Sequence, residues 1–456
     1  MQAGMHSKLS HFSLVLQGFS GFCGDWQYLY RVRKFISRSL SDSKPVKYLP
    51  KQALVRFSTF CQLVSNGHAG NGYELMAGIG SVEDFLPEGG DSFNKLKNFA
   101  DARKDWLFGH FSYDLKNETE DLVSAHPDGI GFPLLYFFRP RFVLLLRDAE
   151  LQIGFLPGDE QEAEKLAGQI TAADEISETG NSCTPLARVS REAYLRRAEL
   201  IREHIGRGDI YELNYCIEFF AEQALIDPFR VFARLNGLSE APFSALYRHR
   251  DSWLMSASPE RFIRKEGRKI ISQPIKGTAR RGSDPAEDEK NKERLRHDPK
   301  ERSENIMIAD LVRNDLSQVA KRGTVNVEEL CGIYSFRQVH QMITTVSAEL
   351  DDGIHGIDAI RHAFPMGSMT GAPKVRAMQL IEAYEQTKRG LYSGAVGYFT
   401  PGGDFDFNVV IRSIQYHAQQ KFLSFMAGSA ITHQSDTEKE YAECLLKAKA
   451  MFEALK

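Results

Sequence analysis

The 456-residue chain lacks the marks of several protein classes. Its six cysteines (Cys23, Cys61, Cys183, Cys216, Cys331 and Cys444) form no CxxC pair and no zinc-finger spacing. That argues against a disulfide framework or a thiolate metal site and suits a reducing cytoplasm. No run of eighteen or more apolar residues occurs, and "HFSLVLQGFSGF" near the start is short and interrupted, so neither a membrane span nor a secretion signal is expected. Charge of neither sign prevails: 57 basic against 60 acidic residues leave a net charge of -3, which excludes a nucleic-acid or polybasic membrane binder and points to a small ligand. Internal repeats, low-complexity tracts, an HExxH string and the G-x-x-x-x-G-K-[ST] phosphate loop are also missing.

Acids are scarce at the start as well. Between Met1 and Pro50 only Asp25 and Asp42 occur, against a run of arginines and lysines, and residues 1–48 read as a disordered or non-native extension. The chain as a whole is 42% hydrophobic, enough for one large core or two ordinary domains. "WLFGHFSYDL" and "FPLLYFFRPRFVLLL" have the aromatic and branched content of strands, which defines an N-terminal sheet subdomain at 50–173. A polar stretch around 174–189 reads as a linker, and 190–456 forms the second unit. There, Ser190 caps a helix whose Tyr194, Ala198, Ile201 and Ile205 share one face. "GDIYELNYCIEFF" reads as a strand.

"RFIRK" and "RKIIS" read as arms of a hairpin turning at Glu266-Gly267, which sets Glu260 nearly opposite Gln273 and gathers Glu260 and Lys276 at its open end. "DPKERSENIMIADLVRNDLSQVA" reads as a helix with Ile306, Ile308, Ala309 and Val312 on its apolar side, and the C-terminal helix is capped by Ser435 or Asp436.

Glu301 and Glu304 lie three apart on one expected helix, Glu440 and Glu443 three apart on another, so each pair shares a face. Two such faces can share a Mg²⁺ ion, which takes one or two carboxylates and completes its six oxygens from water and substrate. A single ExxE is more often only a solvated face. Glu260, at a strand start after "SASP", fits a buried acid that protonates a leaving hydroxyl. Lys276 in "PIKGTARRG" admits two readings: an edge lysine that snorkels to water, or a reactive amine whose deprotonation Arg280 and Arg281 favour. Arg412 in the expected strand "FNVVIRS", backbone amides at Gly428 in "MAGSAIT", Tyr398 in "SGAVGYF", and the small-residue loop holding Ser368 before a helix are candidate anion contacts.

Taken in order, "GDIYELN", "SASPERF", "PIKGTARRG", "ERSENIMIADLVRNDL", "FPMGSMTGAPKVRAM", "YSGAVGYF", "FNVVIRS" and "SDTEKEYAEC" resemble the chorismate-utilising enzymes, which include anthranilate, isochorismate, salicylate and aminodeoxychorismate synthases. The resemblance is densest over 190–452 and favours the aminodeoxychorismate (para-aminobenzoate) component I type. It implies an α+β fold of two packed antiparallel sheets flanked by helices, with the site between the hairpin and the two glutamate-bearing helices. It implies Glu304 and Glu443 as direct Mg²⁺ ligands, with Glu301 and Glu440 completing the shell. Tyr398, Arg412, Gly428, Ser368, Thr278 and Gly277 would contact the substrate, and Glu260 would be the general acid. Where the other synthases typically carry alanine, Lys276 would attack C2 of chorismate and so steer ammonia to C4.

The implied activity is Mg-dependent amination of chorismate to 4-amino-4-deoxychorismate in the cytoplasm, in folate biosynthesis. The chain shows no glutaminase-like arrangement, so ammonia would come from a separate glutamine amidotransferase subunit. Two alternatives stand beside it: anthranilate synthase component I, and a chorismate-binding protein that no longer turns over. The motive for the second is that "VHQMITTV" places Gln341, with His340 beside it, where the family usually has histidine, and that Ala430 replaces a glycine.

Overall fold

Strand Thr59–Val64 is buried along its whole length and pairs with Leu75–Phe85 on one edge and Phe243–His249 on the other. Its two partners come from opposite halves of the chain. The computed structural model, which describes residues 32–40, 46–68, 70, 72–171, 183–337 and 339–456, is an α+β fold in which every pairing between the named strands is antiparallel.

From Phe243–His249 one sheet continues through Ser252–Ser258, Ser413–His417 and Phe422–Thr432 to Glu212–Ala221. A second runs from Leu107–Phe111 through Ala395–Phe399, Phe405–Asn408, Arg261–Glu266 and Lys269–Gln273 to Val339–Glu349. The long strand Leu135–Arg147 joins them: its start pairs with Leu107–Phe111, and its length lies along Leu75–Phe85.

The inner faces meet over Cys61, Leu63, Ala245, Tyr247 and Leu254 on one side and Phe108, Phe138, Val396 and Tyr398 on the other. This is the expected architecture of packed antiparallel sheets. Helices Arg191–Gly206 and Thr437–Ala454 cover the outer face of the first sheet through Tyr194, Ala198, Cys444, Ala448 and Met451. Ser190 and Asp436 cap these two helices through their side chains.

Three expectations need correction. The boundary near 174–189 does not divide the chain into separate sheets, because Thr59–Val64 and Leu107–Phe111 each pair with a strand from beyond it; residues 172–182 of that stretch lie outside the described residues. Nor is 1–48 wholly an unstructured extension. Lys34–Ser39 pairs with Glu150–Phe155, and the buried Arg33 guanidinium donates to both carboxylate oxygens of Asp105 at 2.7 and 2.9 Å; the remainder, 1–31 and 41–45, lies outside the described residues. Finally, the hairpin turns at Gly267-Arg268, since Glu266 pairs with Lys269, and Gln273 therefore stands opposite Arg261 and not Glu260. Among the described residues no helix is long and apolar enough to cross a membrane.

Candidate active site

The strand Ile275–Arg280 follows the hairpin along the same edge of Val339–Glu349. Its register slips: Ile275 lies opposite Ile343 but Thr278 opposite Gln341, so one extra residue is accommodated as a bulge. Gly277 takes up the distortion at φ +100°, and a side chain there would press on Met342 Cβ at 3.1 Å and Glu301 Oε2 at 3.2 Å. Asn305 fixes the bulge from below, donating to Lys276 O and to Met342 O at 3.0 Å each. Asn305 sits on helix Pro299–Ser317, which also carries Glu301 and Glu304, so the bulged lysine and the two carboxylates are set by one element. On that helix Ile308, Ala309 and Val312 are buried as expected, but Ile306 is exposed.

The Lys276 side chain is only 10% exposed and donates to Glu212 Oε1 at 2.5 Å. Burial alone would push its ammonium down, yet Glu212, then Glu304 and Glu443, hold it above the ordinary lysine value. The expected help from Arg280 and Arg281 is absent, because their guanidinium groups are tied to Glu287 and Asp288. Lys276 therefore rests as a buried ammonium among carboxylates. Nearby, burial lifts the Glu260 carboxyl from 4.5 to about 7, against the opposing pull of Ser368, whose hydroxyl donates to Oε1 at 2.6 Å, and of Lys276. Glu260 is thus a carboxyl that still carries a proton near neutral pH, and Ser368 is its direct partner.

The four glutamates face one another from Pro299–Ser317 and Thr437–Ala454. Burial raises Glu304 to about 7, with Lys276 opposing, and its Oε1 has no hydrogen-bond partner. Burial, followed by repulsion from Glu443, raises Glu301. Lys300 Nζ reaches Glu440 Oε1 at 3.2 Å and Glu304 Oε1 at 3.7 Å, so a single cation already touches both helices. Ser435 donates to Glu440 at 2.8 Å, and Lys447 holds Glu443 at 2.6 Å and lowers it. Among the described residues no three acidic, imidazole or thiol groups are drawn together into a coordination sphere; the ammonium groups of Lys276, Lys300 and Lys447 offset the charge of these carboxylates instead.

The anion contacts divide. Arg412 is not within a strand: it has φ +50° and precedes Ser413–His417, with Nη1 donating to Lys447 O at 3.2 Å. Gly428 accepts from Lys447 Nζ at 3.0 Å, and a Cβ there would lie 2.4 Å from Cys216 Sγ, so the close approach of the two strands requires glycine. Arg412, Gly428, Lys447 and Glu443 form one connected group. Tyr398 does not join it. Its ring packs against Tyr73, Trp106 and Phe108, and its charged neighbours are Asp406, Arg264 and Arg261. The buried tyrosine near enough to Arg412 to act on its charge is Tyr392, whose hydroxyl pairs with Cys216 Sγ at 3.7 Å. Thr278 is exposed on the bulged strand. His340 is bound to Asp288 and Ser335 and has a structural role. Sequence reasoning passed over Asn305, Tyr392 and Lys447, and gave Glu212 no part in the site.

Residues 68–453 match the family model described as chorismate binding enzyme. The chain belongs to that family and is an enzyme that acts on chorismate. Among its relatives, aminodeoxychorismate synthase component 1 of Escherichia coli K12 is 34% identical over 350 residues, covering 76% of each chain. Anthranilate synthase component 1 of Thermus thermophilus is 33% identical over 359 residues, 76% of this chain and 77% of that one. The solved structure of MenF, the menaquinone-specific isochorismate synthase of E. coli, superposes with a TM-score of 0.75 over 98% of this chain and 100% of that chain; at 16% identity this is a likeness of fold.

Proposed function

We propose that the protein aminates chorismate at C4 to give 4-amino-4-deoxychorismate, a step toward para-aminobenzoate and folate, with ammonia delivered by a separate glutamine amidotransferase. The observation that carries this reading is Lys276: a buried amine, presented by a bulge, with a still-protonated Glu260 close enough to feel its charge. In the reaction Lys276 bonds to C2, Glu260 gives its proton to the hydroxyl leaving C4, and ammonia then adds at C4 as the lysine departs. With C2 occupied by a side chain, nitrogen is directed to C4. Ser368 orients the acid, while Arg412 with Tyr392 and the Gly428 strand supply the contacts for the substrate's carboxylates.

The carboxylate set fits a divalent cation such as Mg²⁺. Glu304 and Glu443, with Glu301 and Glu440, are hard oxygen donors on two helices, Glu304 Oε1 is buried without a hydrogen bond, and lysine ammonium groups now offset the charge. When bound, the ion would neutralise these acids and attract the ring carboxylate. The five described cysteines are all free thiols, which suits a cytoplasmic setting.

Incubation with chorismate, Mg²⁺ and ammonium, with the product identified by mass and fluorescence, tests the reading. A product that keeps the enolpyruvyl group and gains nitrogen supports it. Anthranilate with free pyruvate would make this a component I of the anthranilate type, and no turnover would make it a binding protein.

A further inference from the structure

Lys276 rests as an ammonium, and an ammonium cannot attack carbon. The charged groups that face it are Glu212 on strand Glu212–Ala221, Glu304 on Pro299–Ser317, Glu443 on Thr437–Ala454, and Glu260 before Arg261–Glu266. Of the carboxylates, Glu212 is the one in hydrogen-bond contact, at 2.5 Å. Its side chain is 1% exposed, and while Oε1 accepts from Lys276, Oε2 is buried with no hydrogen-bond partner. Its backbone is locked between two strands, opposite Thr432 on one side and Ala372 on the other. A Cβ on Gly371 would lie 2.1 Å from Glu212 O, so the close approach of the two chains there requires glycine.

Resting on the reading of Lys276 as the attacking amine, we propose that Glu212 is the positioning residue that accepts the Lys276 proton when chorismate enters, and returns it when the lysine leaves. A ring seated over Lys276 covers what exposure the side chain has, and in a dry site two adjacent opposite charges gain by exchanging the proton for neutral forms. The proton passes from Nζ to Glu212, and the freed lone pair bonds to C2. The C1=C2 pair moves to C1=C6, the C5=C6 pair moves to C4=C5, and the C4–O bond breaks toward oxygen, which leaves as water with the Glu260 proton. Ammonia then bonds to C4, both pairs return, and the C2–N bond breaks toward Nζ. Nζ takes its proton back from Glu212, and the new C4 ammonium gives one to Glu260.

The test is Glu212→Gln in the full chain, with two readouts. The first is the rate at which Lys276 gains the mass of chorismate less water, with Mg²⁺ and no ammonium, followed by quenched intact mass and peptide mapping. The second is labelling of Lys276 by trinitrobenzenesulfonate at fixed pH. The expected result is adduct formation slowed by about 10²–10⁴-fold, the usual range for a lost general base, together with faster labelling, because the ammonium has lost its anion. An adduct rate within about threefold of wild type, or a fall in both readouts together, overturns the proposal. Should the glutamine variant not fold, Glu212→Asp carries the same two readouts, with the adduct slowed less. If the wild type itself forms no adduct, the lysine reading fails and this role with it; a normal wild-type adduct that Glu212→Gln leaves unchanged fails the role alone.

Discussion

Glu260→Gln should separate the cost of the general acid from its use. Burial moves the Glu260 carboxyl from 4.5 to about 7 in the folded chain. Between those values the native state holds a proton that the unfolded chain has released, so stability falls as pH rises through the window. Above it the full difference applies, roughly 3 kcal/mol at 1.36 kcal/mol for each tenfold change in proton affinity. Glutamine keeps the same volume and can still accept from Ser368 but never ionises. Urea unfolding at pH 5 and pH 8 should therefore show the variant gaining up to about 3 kcal/mol over wild type between the two conditions, while turnover of chorismate drops by about 10²–10⁴-fold. An equal stability difference at both pH values would mean that Glu260 is an ordinary carboxylate and refute its assignment as the proton donor.

Asn305→Ala leaves two buried carbonyls, those of Lys276 and Met342, without their donor; a loss of about 2–4 kcal/mol in urea unfolding is expected, and a loss within error would remove Asn305 as the support of the bulge. Mg²⁺ should raise the thermal midpoint of the wild type by relieving the acids on the two helices, and Glu304→Gln should abolish that rise; a wild type indifferent to Mg²⁺ contradicts the metal site. Tyr392→Phe should raise KM for chorismate, whereas Tyr398→Phe, deep in the aromatic core, should leave it unchanged.

Much of the fold was legible because its signals are local. Alternating aromatic strands, the Ser190 cap and the apolar faces of the helices announce themselves over short stretches. The pairing of Thr59–Val64 with Phe243–His249 does not, since strands so far apart in the chain carry no mark of partnership, and so the expected boundary between subdomains dissolved into shared sheets. At the site, spacing on a helix revealed the paired glutamates and their common face. The protonation of Lys276 was out of reach: Arg280 and Arg281 are its neighbours in sequence, but Glu212, brought in from another strand, is its neighbour in space. Tyr398 and Tyr392 show the same limit. Both precede Arg412 in glycine-rich sequence, and only the packing of the aromatic core decides which one lies near the arginine.

Whether a lysine amine directs nitrogen to C4 is decided by Lys276→Ala supplied with chorismate, Mg²⁺ and ammonium, its folding verified by an unchanged unfolding transition. Formation of 4-amino-4-deoxychorismate should be lost. The same product at the wild-type rate would show that the amine takes no part in the chemistry.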